Sequence, residues 1–303
     1  MLALDVVTGA FGYTGKYITR ELLARGRRVR TLTGHPDRPN PFGVDIEVFP
    51  YAFDDPPRLV DALRGADVLY NTYWIRFPKG ERAFERAVEH TRILFRAAEE
   101  AGVRRVVHVS ITNPSADSPL PYFRGKALCE QALKETGLSY AILRPTVIYG
   151  REDILINNIA WFLRRFPVFG IPGDGQYRVQ PIYVEDMARL AVALGEREDN
   201  VVVDAVGPET FTFDALVRLL RDVLGSRALL AHLPPRVAWA AAQVVGWLVG
   251  DVILTWDEVQ GLMANLLVAE GPPTGETRFS EWVRNHADWL GREYASEIKR
   301  HYV

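Results

Sequence analysis

Tyr122 and Lys126 stand four residues apart. That is one helical turn, and Pro121 just before them suits a first helical turn, so the two side chains share a helix face. A phenol with an ordinary pKa of about 10 is a poor proton donor or acceptor at neutral pH, and an ammonium one turn away favours its phenolate. Ser110, 12 residues upstream, closes a β-branched run and is placed to hydrogen-bond a substrate carbonyl. With 12 tyrosines and five lysines in the chain, about 0.2 such Tyr-Lys pairs are expected by chance, so position in the fold has to carry the argument.

A second constellation lies at the other end of the first fold half. Thr8-Gly9-Ala10-Phe11-Gly12-Tyr13-Thr14-Gly15 directly follows an apolar run and opens a helical pattern that ends at Gly26. In a strand-turn-helix, Gly9 permits the tight turn, Gly12 the close approach of a pyrophosphate, and Gly15 close helix-to-strand packing, with phosphates at the positive helix end.

The elements that must position these residues follow from the rhythm of the chain. Runs at Leu4–Thr8, Val29–Thr33, Ile46–Tyr51, Val68–Asn71, Arg105–Ser110 and Tyr140–Leu143 read as parallel strands, with helical patterns between most of them. Gly26, Gly65, Gly102 and Gly137 each end a helical pattern, as left-handed C′ residues do. The expected fold class is α/β, a doubly wound parallel Rossmann sheet with a smaller, mostly helical C-terminal lobe.

After Arg144-Pro145 the rhythm breaks into a helix at Ile154–Phe166, a Gly/Pro-rich loop over 170–175 and a short strand at Tyr177–Ile182. Further helices are expected at Glu185–Leu194, Phe213–Leu224, Val237–Val249, Asp257–Leu267 and Glu281–Leu290, the fourth opened by a capping box from Thr255 to Glu258. Residues 1–150 with about 177–206 are assigned to the doubly wound Rossmann domain, and about 151–176 with 207–303 to the second lobe.

The glycine turn resembles that of the short-chain dehydrogenase/reductase superfamily. Adding Asn71-Thr72, Ser110, Tyr122 with Lys126, Leu143-Arg144-Pro145 and Val184-Glu185-Asp186, the chain is similar to an atypical or extended member of that superfamily. It is closest to the NmrA-like group, which includes the nucleotide-binding accessory subunit of respiratory complex I. The resemblance implies a nicotinamide dinucleotide, with Asn71, Thr72, Lys126, Pro145 and Thr146 lining its nicotinamide half. The remaining candidate cofactor contacts are Gly9, Phe11, Gly12, Tyr13, Thr14 and Gly15 on the turn, Gly34, His35 and Arg38 after the second strand, then Phe53 and Tyr73. No acidic residue ends the second strand, which favours NADP over NAD, with His35 and Arg38 as candidate phosphate partners. The position that often carries an adenine-binding Asp is Ala52.

Trp74, Thr112 and Asn113 are the candidate substrate-side residues, and Tyr73, Trp74 and Phe77 would form an apolar rim. Sugar-nucleotide epimerases carry an arginine where this chain has Val179, and a Ser-rich segment where it has Ile111-Thr112-Asn113-Pro114, so that reading ranks third. The leading expectation is an NAD(P)H-dependent oxidoreductase acting on a small, rather apolar carbonyl or alcohol. The alternative is a non-catalytic NAD(P)-binding redox sensor or assembly factor.

Composition removes other classes. The 303 residues hold 36 basic and 38 acidic side chains, a net charge of −2, which leaves no positive excess for a nucleic-acid partner. One cysteine excludes an intrachain disulfide, and six scattered histidines form no legible metal site. The longest uncharged apolar stretch, Val237–Gly250, is too short for a membrane span. Its Trp239, Val244, Trp247 and Leu248 could form a membrane-surface or partner helix, but the stretch lacks the lysines and arginines of an interfacial anchor, and buried core is the expectation. A cytoplasmic monomer or homodimer acting on a small molecule is expected.

Overall fold

The computed structural model describes residues 3–75, 83–296 and 298. In chain order the elements are β1 (Leu4–Thr8), α1 (Tyr13–Ala24), β2 (Arg28–Thr33), β3 (Ile46–Pro50), α2 (Pro56–Leu63), β4 (Ala66–Asn71), α3 (Ala83–Glu100), β5 (Arg105–Val109), α4 (Pro121–Lys134) and β6 (Ser139–Pro145). Then come β7 (Ile148–Tyr149), α5 (Leu155–Arg165), β8 (Val168–Pro172), β9 (Arg178–Val179), β10 (Ile182–Tyr183), α6 (Val184–Gly195) and β11 (Val201–Ala205). The last are β12 (Phe211–Thr212), α7 (Phe213–Val223), β13 (Leu229–Leu233), α8 (Pro235–Val249), α9 (Trp256–Met263) and α10 (Phe279–Asn285).

Two compact units result: Met1–Pro145 with Met187–Ala205, and Thr146–Asp186 with Val206–Val303. The first holds a seven-stranded sheet in the order β11-β6-β5-β4-β1-β2-β3, every pairing parallel. This is the Rossmann-type α/β sheet. Central β1 and β5 are buried at every position because helices cover both faces. Val6-Val7 and Val106-Val107 give each its apolar centre, while buried Asp5 is held by Arg27, Arg105 donates to Leu194 O, and His108 is held by Asn71. The strand order reverses at β1, so the crevice beyond the carboxyl ends of β1 and β4 is where such sheets bind ligands. Leu32, Leu59, Leu69, Leu94, Phe95, Val106 and Ile142 form part of the core beneath it.

The second unit is built from three two-stranded pairs, β7 with β10, β8 with β13 and β9 with β12, and from helices packed around Tyr149, Ile156, Phe213, Leu216, Phe279 and Trp282. Residues 177–186, assigned from sequence to the dinucleotide domain, belong here instead. Their strands pair with Ile148–Tyr149 and Phe211–Thr212, not with the parallel sheet.

Three further expectations are corrected. Gly170–Pro172, read as the start of a loop, is the end of a strand, Val168–Pro172, held by parallel pairing to Leu229–Leu233. Gly137 is absent from the left-handed glycines that include Gly26, Gly65 and Gly102; its N–H donates to Glu99 Oε1 at 2.7 Å, and a Cβ there would fall 2.9 Å from the same oxygen. Along α8 only Ala238 and Gly246 are buried, so Val244, Trp247 and Leu248 are surface, not core, and Trp239 is half-buried. The helix was legible, but the face that its neighbours cover was not.

Candidate functional site

The glycine turn is shaped by what cannot fit in it. Gly9 has φ +69°, a left-handed conformation suited to glycine. A Cβ on Gly15 would stand 2.3 Å from the Gly9 carbonyl oxygen, so helix α1 can approach the turn only because that side chain is missing. Gly12 caps α1 without a side chain, and no acidic residue lies in the helix's first turn. Gly12 N–H donates to Gly9 O at 2.8 Å, and a Cβ on Gly12 would lie 3.2 Å from that oxygen. A helix start with no carboxylate near it and no side chain over its cap fits a diphosphate.

Thr8, which sequence reading passed over, ties this turn to β4. Its hydroxyl donates to Asn71 Oδ1 at 3.1 Å and accepts from the Thr72 and Tyr73 N–H groups at 2.7 and 3.0 Å. Thr72 Oγ1 donates back to Thr8 O at 2.5 Å. Asn71 Nδ2 lies 3.0 Å from His108 Nδ1 on β5, so β1, β4 and β5 are cross-tied. Burial holds the His108 ring neutral, its pKa well below the ordinary histidine value, and the Lys126 ammonium pushes the same way. Asn71 is fully buried, its side chain held between Thr8 and His108.

Tyr51 was also missed. Its hydroxyl lies 4.0 Å from where a Gly9 Cβ would be, its ring edge lies 3.7 Å from the corresponding point on Gly34, and its ring meets Tyr73 edge-on at 5.1 Å. Phe53 stacks on Tyr51 at 4.9 Å and on His90 at 4.2 Å, and Tyr73 Oη lies 2.8 Å from His90 Nδ1. The available signal was the period-two placement of Phe49, Tyr51 and Phe53. After β2, Gly34 and His35 are exposed and Arg38 half-buried. His35 N–H is fixed on Thr33 Oγ1 at 3.1 Å.

Helix α4 begins at Pro121, and Tyr122 and Lys126 lie on it. Lys126 is 3% exposed; Nζ donates to Val109 O at 2.9 Å and sits 4.6 Å from the centroid of the Trp74 ring. Burial lowers its pKa to about 8, against the smaller opposing pull of Cys129 and Glu130. Half-buried Tyr122 meets Trp74 edge-on at 5.6 Å and Phe84 at 6.1 Å. Trp74 can lie there because residue 125 is glycine: a Cβ would be 2.7 Å from Trp74 Cη2. Phe77 lies outside the described residues.

Ser110 is buried and gives its proton to Glu130 Oε1 at 2.6 Å. Glu130, a third residue that sequence reading missed, also receives a two-pronged contact from Arg144 at 2.8 and 2.5 Å. Of the substrate-side candidates, Thr112 is buried with its N–H on Pro145 O at 3.0 Å, while Asn113 is exposed with φ +51°. Thr146 groups with the second unit, where its hydroxyl donates to Gln180 O. Among the described residues no group of His, Cys, Asp and Glu is arranged to hold a metal, and no helix is long and apolar enough to cross a membrane.

A parallel sheet that reverses at β1, with a side-chain-free turn at the switch point, defines a Rossmann-type dinucleotide-binding protein. Residues 9–156 match the NAD(P)H-binding family model, so the cofactor is a nicotinamide dinucleotide. The chain is 27% identical to the complex I alpha subcomplex subunit 9 of Arabidopsis thaliana, covering 87% of this chain and 70% of the relative. It is 30% identical to a ceramide reductase of Caulobacter vibrioides (80% and 77% covered) and 30% to sterol demethylase protein B of Methylococcus capsulatus (77% and 78%). In fold it is similar to the Citrobacter triphenylmethane reductase complexed with NADP(H), at TM-score 0.75 and 18% identity over 94% of this chain and 100% of that one. The chain belongs to the NAD(P)H-binding family of atypical short-chain dehydrogenase/reductases, in the NmrA-like group related to the complex I subunit.

Proposed function

We propose that this protein is an NADP(H)-preferring oxidoreductase that interconverts an apolar carbonyl compound and its alcohol. The observation that carries the reading is the pair on α4: Tyr122 one turn from an ammonium that is itself buried, held by Val109 O and faced by Trp74. The bound dinucleotide supplies or accepts the hydride. In the reducing direction Tyr122 Oη gives its proton to the carbonyl oxygen as that oxygen becomes an alkoxide. Lys126 stabilises the phenolate left behind, an electrostatic effect strengthened by its exclusion from water. Ser110 has its proton on Glu130, so in this arrangement its oxygen serves as an acceptor, suited to an alcohol O–H more than to a carbonyl.

The substrate class rests on the aromatic walls around Tyr122, formed by Trp74 and Phe84, and on two relatives whose names refer to ceramide and to sterols. NADP is favoured because β2 is followed by exposed Gly34 and His35, with Arg38 further along the same loop, and no carboxylate stands at the end of the strand. The lone cysteine, fully buried, suits a reducing compartment, and we place the protein in the cytoplasm. The test is NADPH oxidation with a series of ketones of increasing chain length. Turnover that rises with chain length and is lost in Tyr122→Phe supports the reading; no turnover with any member, alongside saturable NADPH binding, favours the alternative.

That alternative is a non-catalytic dinucleotide-binding protein that senses redox state or aids assembly. It draws on the Ser110–Glu130 bond, which leaves that hydroxyl no proton for a carbonyl, and on the likeness to complex I subunits. The nucleotide-sugar reading loses support because Val179 is buried and Arg178, next to it, is exposed.

A further inference from the structure

Helix α8 presents an apolar seam to water. Val237 is 50% exposed, Val244 62%, Trp247 83% and Leu248 67%, and Ala240 and Ala241 between them are exposed as well. Spacings of three and four place all six on one face. Arg236 is the only charged residue of α8, and it stands at the helix start. Beyond the helix, Asp251 is buried, so the chain shows no exposed charge from Val237 to Trp256.

The opposite side of α8 is fixed by protein. Gly246 lets the helix approach the following turn, where a Cβ would meet Asp251 O at 2.7 Å; Gln243 Nε2 donates to Leu254 O at 2.8 Å; and Trp239 meets Trp256 edge-on at 6.1 Å. The seam is therefore held outward by a packed base. Such a helix does not need the charged face that a free interfacial helix uses to stay in water.

We propose that this face of α8 docks onto the surface of a lipid bilayer, through apolar insertion and not through headgroup charge. The choice of occupant rests on the reading of the protein as a reductase of apolar carbonyls, which partition into membranes. It rests independently on size and chemistry. A 15-residue helix is about 22 Å long, and a face about 10 Å wide offers roughly 220 Å². That is well short of the roughly 800 Å² that each partner of a stable protein pair buries, whereas insertion into lipid has no such threshold. Trp247 at the end of the seam is the residue type favoured at a membrane-water interface, and the missing charges remove the repulsion that headgroups would exert on acids.

The test is flotation of the purified full chain with phosphatidylcholine vesicles at about 0.05 and 0.5 M salt, beside light scattering without lipid and NADPH turnover on a water-soluble ketone. Expected are co-flotation that salt does not weaken, and at least about a tenfold loss of it in Val244→Glu/Leu248→Glu, with unchanged circular dichroism and unchanged turnover on the soluble ketone. Absence of wild-type flotation overturns the proposal. So does a wild-type dimer that the double variant converts to monomer, because a second copy then covers the face. Flotation without turnover upholds docking and defeats the reductase reading; turnover without flotation does the reverse.

Discussion

The Lys126 ammonium lies 4.6 Å from the centre of the Trp74 ring. Together with the bond to Val109 O, this is the setting in which a buried lysine keeps its charge near neutrality. Its pKa of about 8, down from 10.5, carries a sign. The unfolded chain binds the proton more tightly, so the charged lysine opposes folding below pH of about 8, and that cost fades as pH rises toward 10.5. A shift of this size corresponds to about 3 kcal/mol. Lys126→Met is expected to raise the thermal midpoint at pH 7 and to lose that advantage at pH 10.5, which calorimetry at the two values checks. In the intact protein, turnover of a responsive ketone by the proposed reaction should show kcat/KM falling above pH of about 8 as the ammonium is lost, and Lys126→Arg should move that limb upward.

The glycine turn separates folding from binding. Gly15→Ala drives a methyl into the Gly9 carbonyl, 2.3 Å away, so the helix or the turn must shift. A loss of at least about 2 kcal/mol is expected, together with loss of NADPH binding. A Cβ on Gly12 comes no closer than 3.2 Å to that carbonyl, at an ordinary negative φ of −80°. Gly12→Val is therefore expected to keep most of the stability and to lose the dinucleotide, because the added methyls stand where a diphosphate would approach. Urea melts beside NADPH fluorescence titrations distinguish the two. Equal loss of stability in both would contradict the assignment of separate roles.

What sequence reading captured and what it missed divide along one physical line. Strands covered on both faces are rich in β-branched apolar residues, so Val6-Val7 and Val106-Val107 announce β1 and β5 even though Asp5, Arg105 and His108 are buried beside them. The turn between β1 and α1 is legible because its glycines answer to nearby backbone. Glu130, Thr8 and Tyr51 were missed because their importance lies in partners far along the chain: Ser110 and Arg144 for the first, Asn71 for the second, Gly9 for the third. The same blindness hid the pairing of β8 with β13, where Gly170 and Pro172 look like loop residues until Leu229–Leu233 is beside them. It also turned the apolar composition of α8 into a wrong expectation of burial.

Glu130 is nearly buried and holds both Arg144 and Ser110. Glu130→Gln keeps an acceptor for the serine but removes the charge facing Arg144, whose side chain is 27% exposed. Partial exposure screens the pair, so a loss of about 1–3 kcal/mol is expected, short of the full penalty for orphaning a buried ion. Ser110→Ala, which leaves the Arg144 contact intact, should cost about 1 kcal/mol. Denaturant midpoints check both. If Ser110 also touches the substrate, its loss lowers kcat/KM for the alcohol more than for the ketone, since its oxygen is available only as an acceptor.

Tyr122 carries the sharpest expectation. It lies on the same helix as Lys126, is half-buried, and meets the Trp74 and Phe84 rings edge-on, ring contacts that a phenylalanine keeps. Tyr122→Phe should therefore preserve the ring packing and NADPH affinity, and remove the proton that the proposed reaction needs. Positioned proton transfer contributes typically about 100 to 10,000-fold, and kcat on a responsive ketone should fall by that amount with KM little changed. Lys126→Ala should lower both turnover and NADPH affinity, because one ammonium serves the phenolate and the dinucleotide. Stopped-flow NADPH oxidation with parallel binding titrations separates the two variants. Full activity in Tyr122→Phe would remove the tyrosine from the chemistry and leave the protein as a dinucleotide-binding sensor whose aromatic wall serves only to pack.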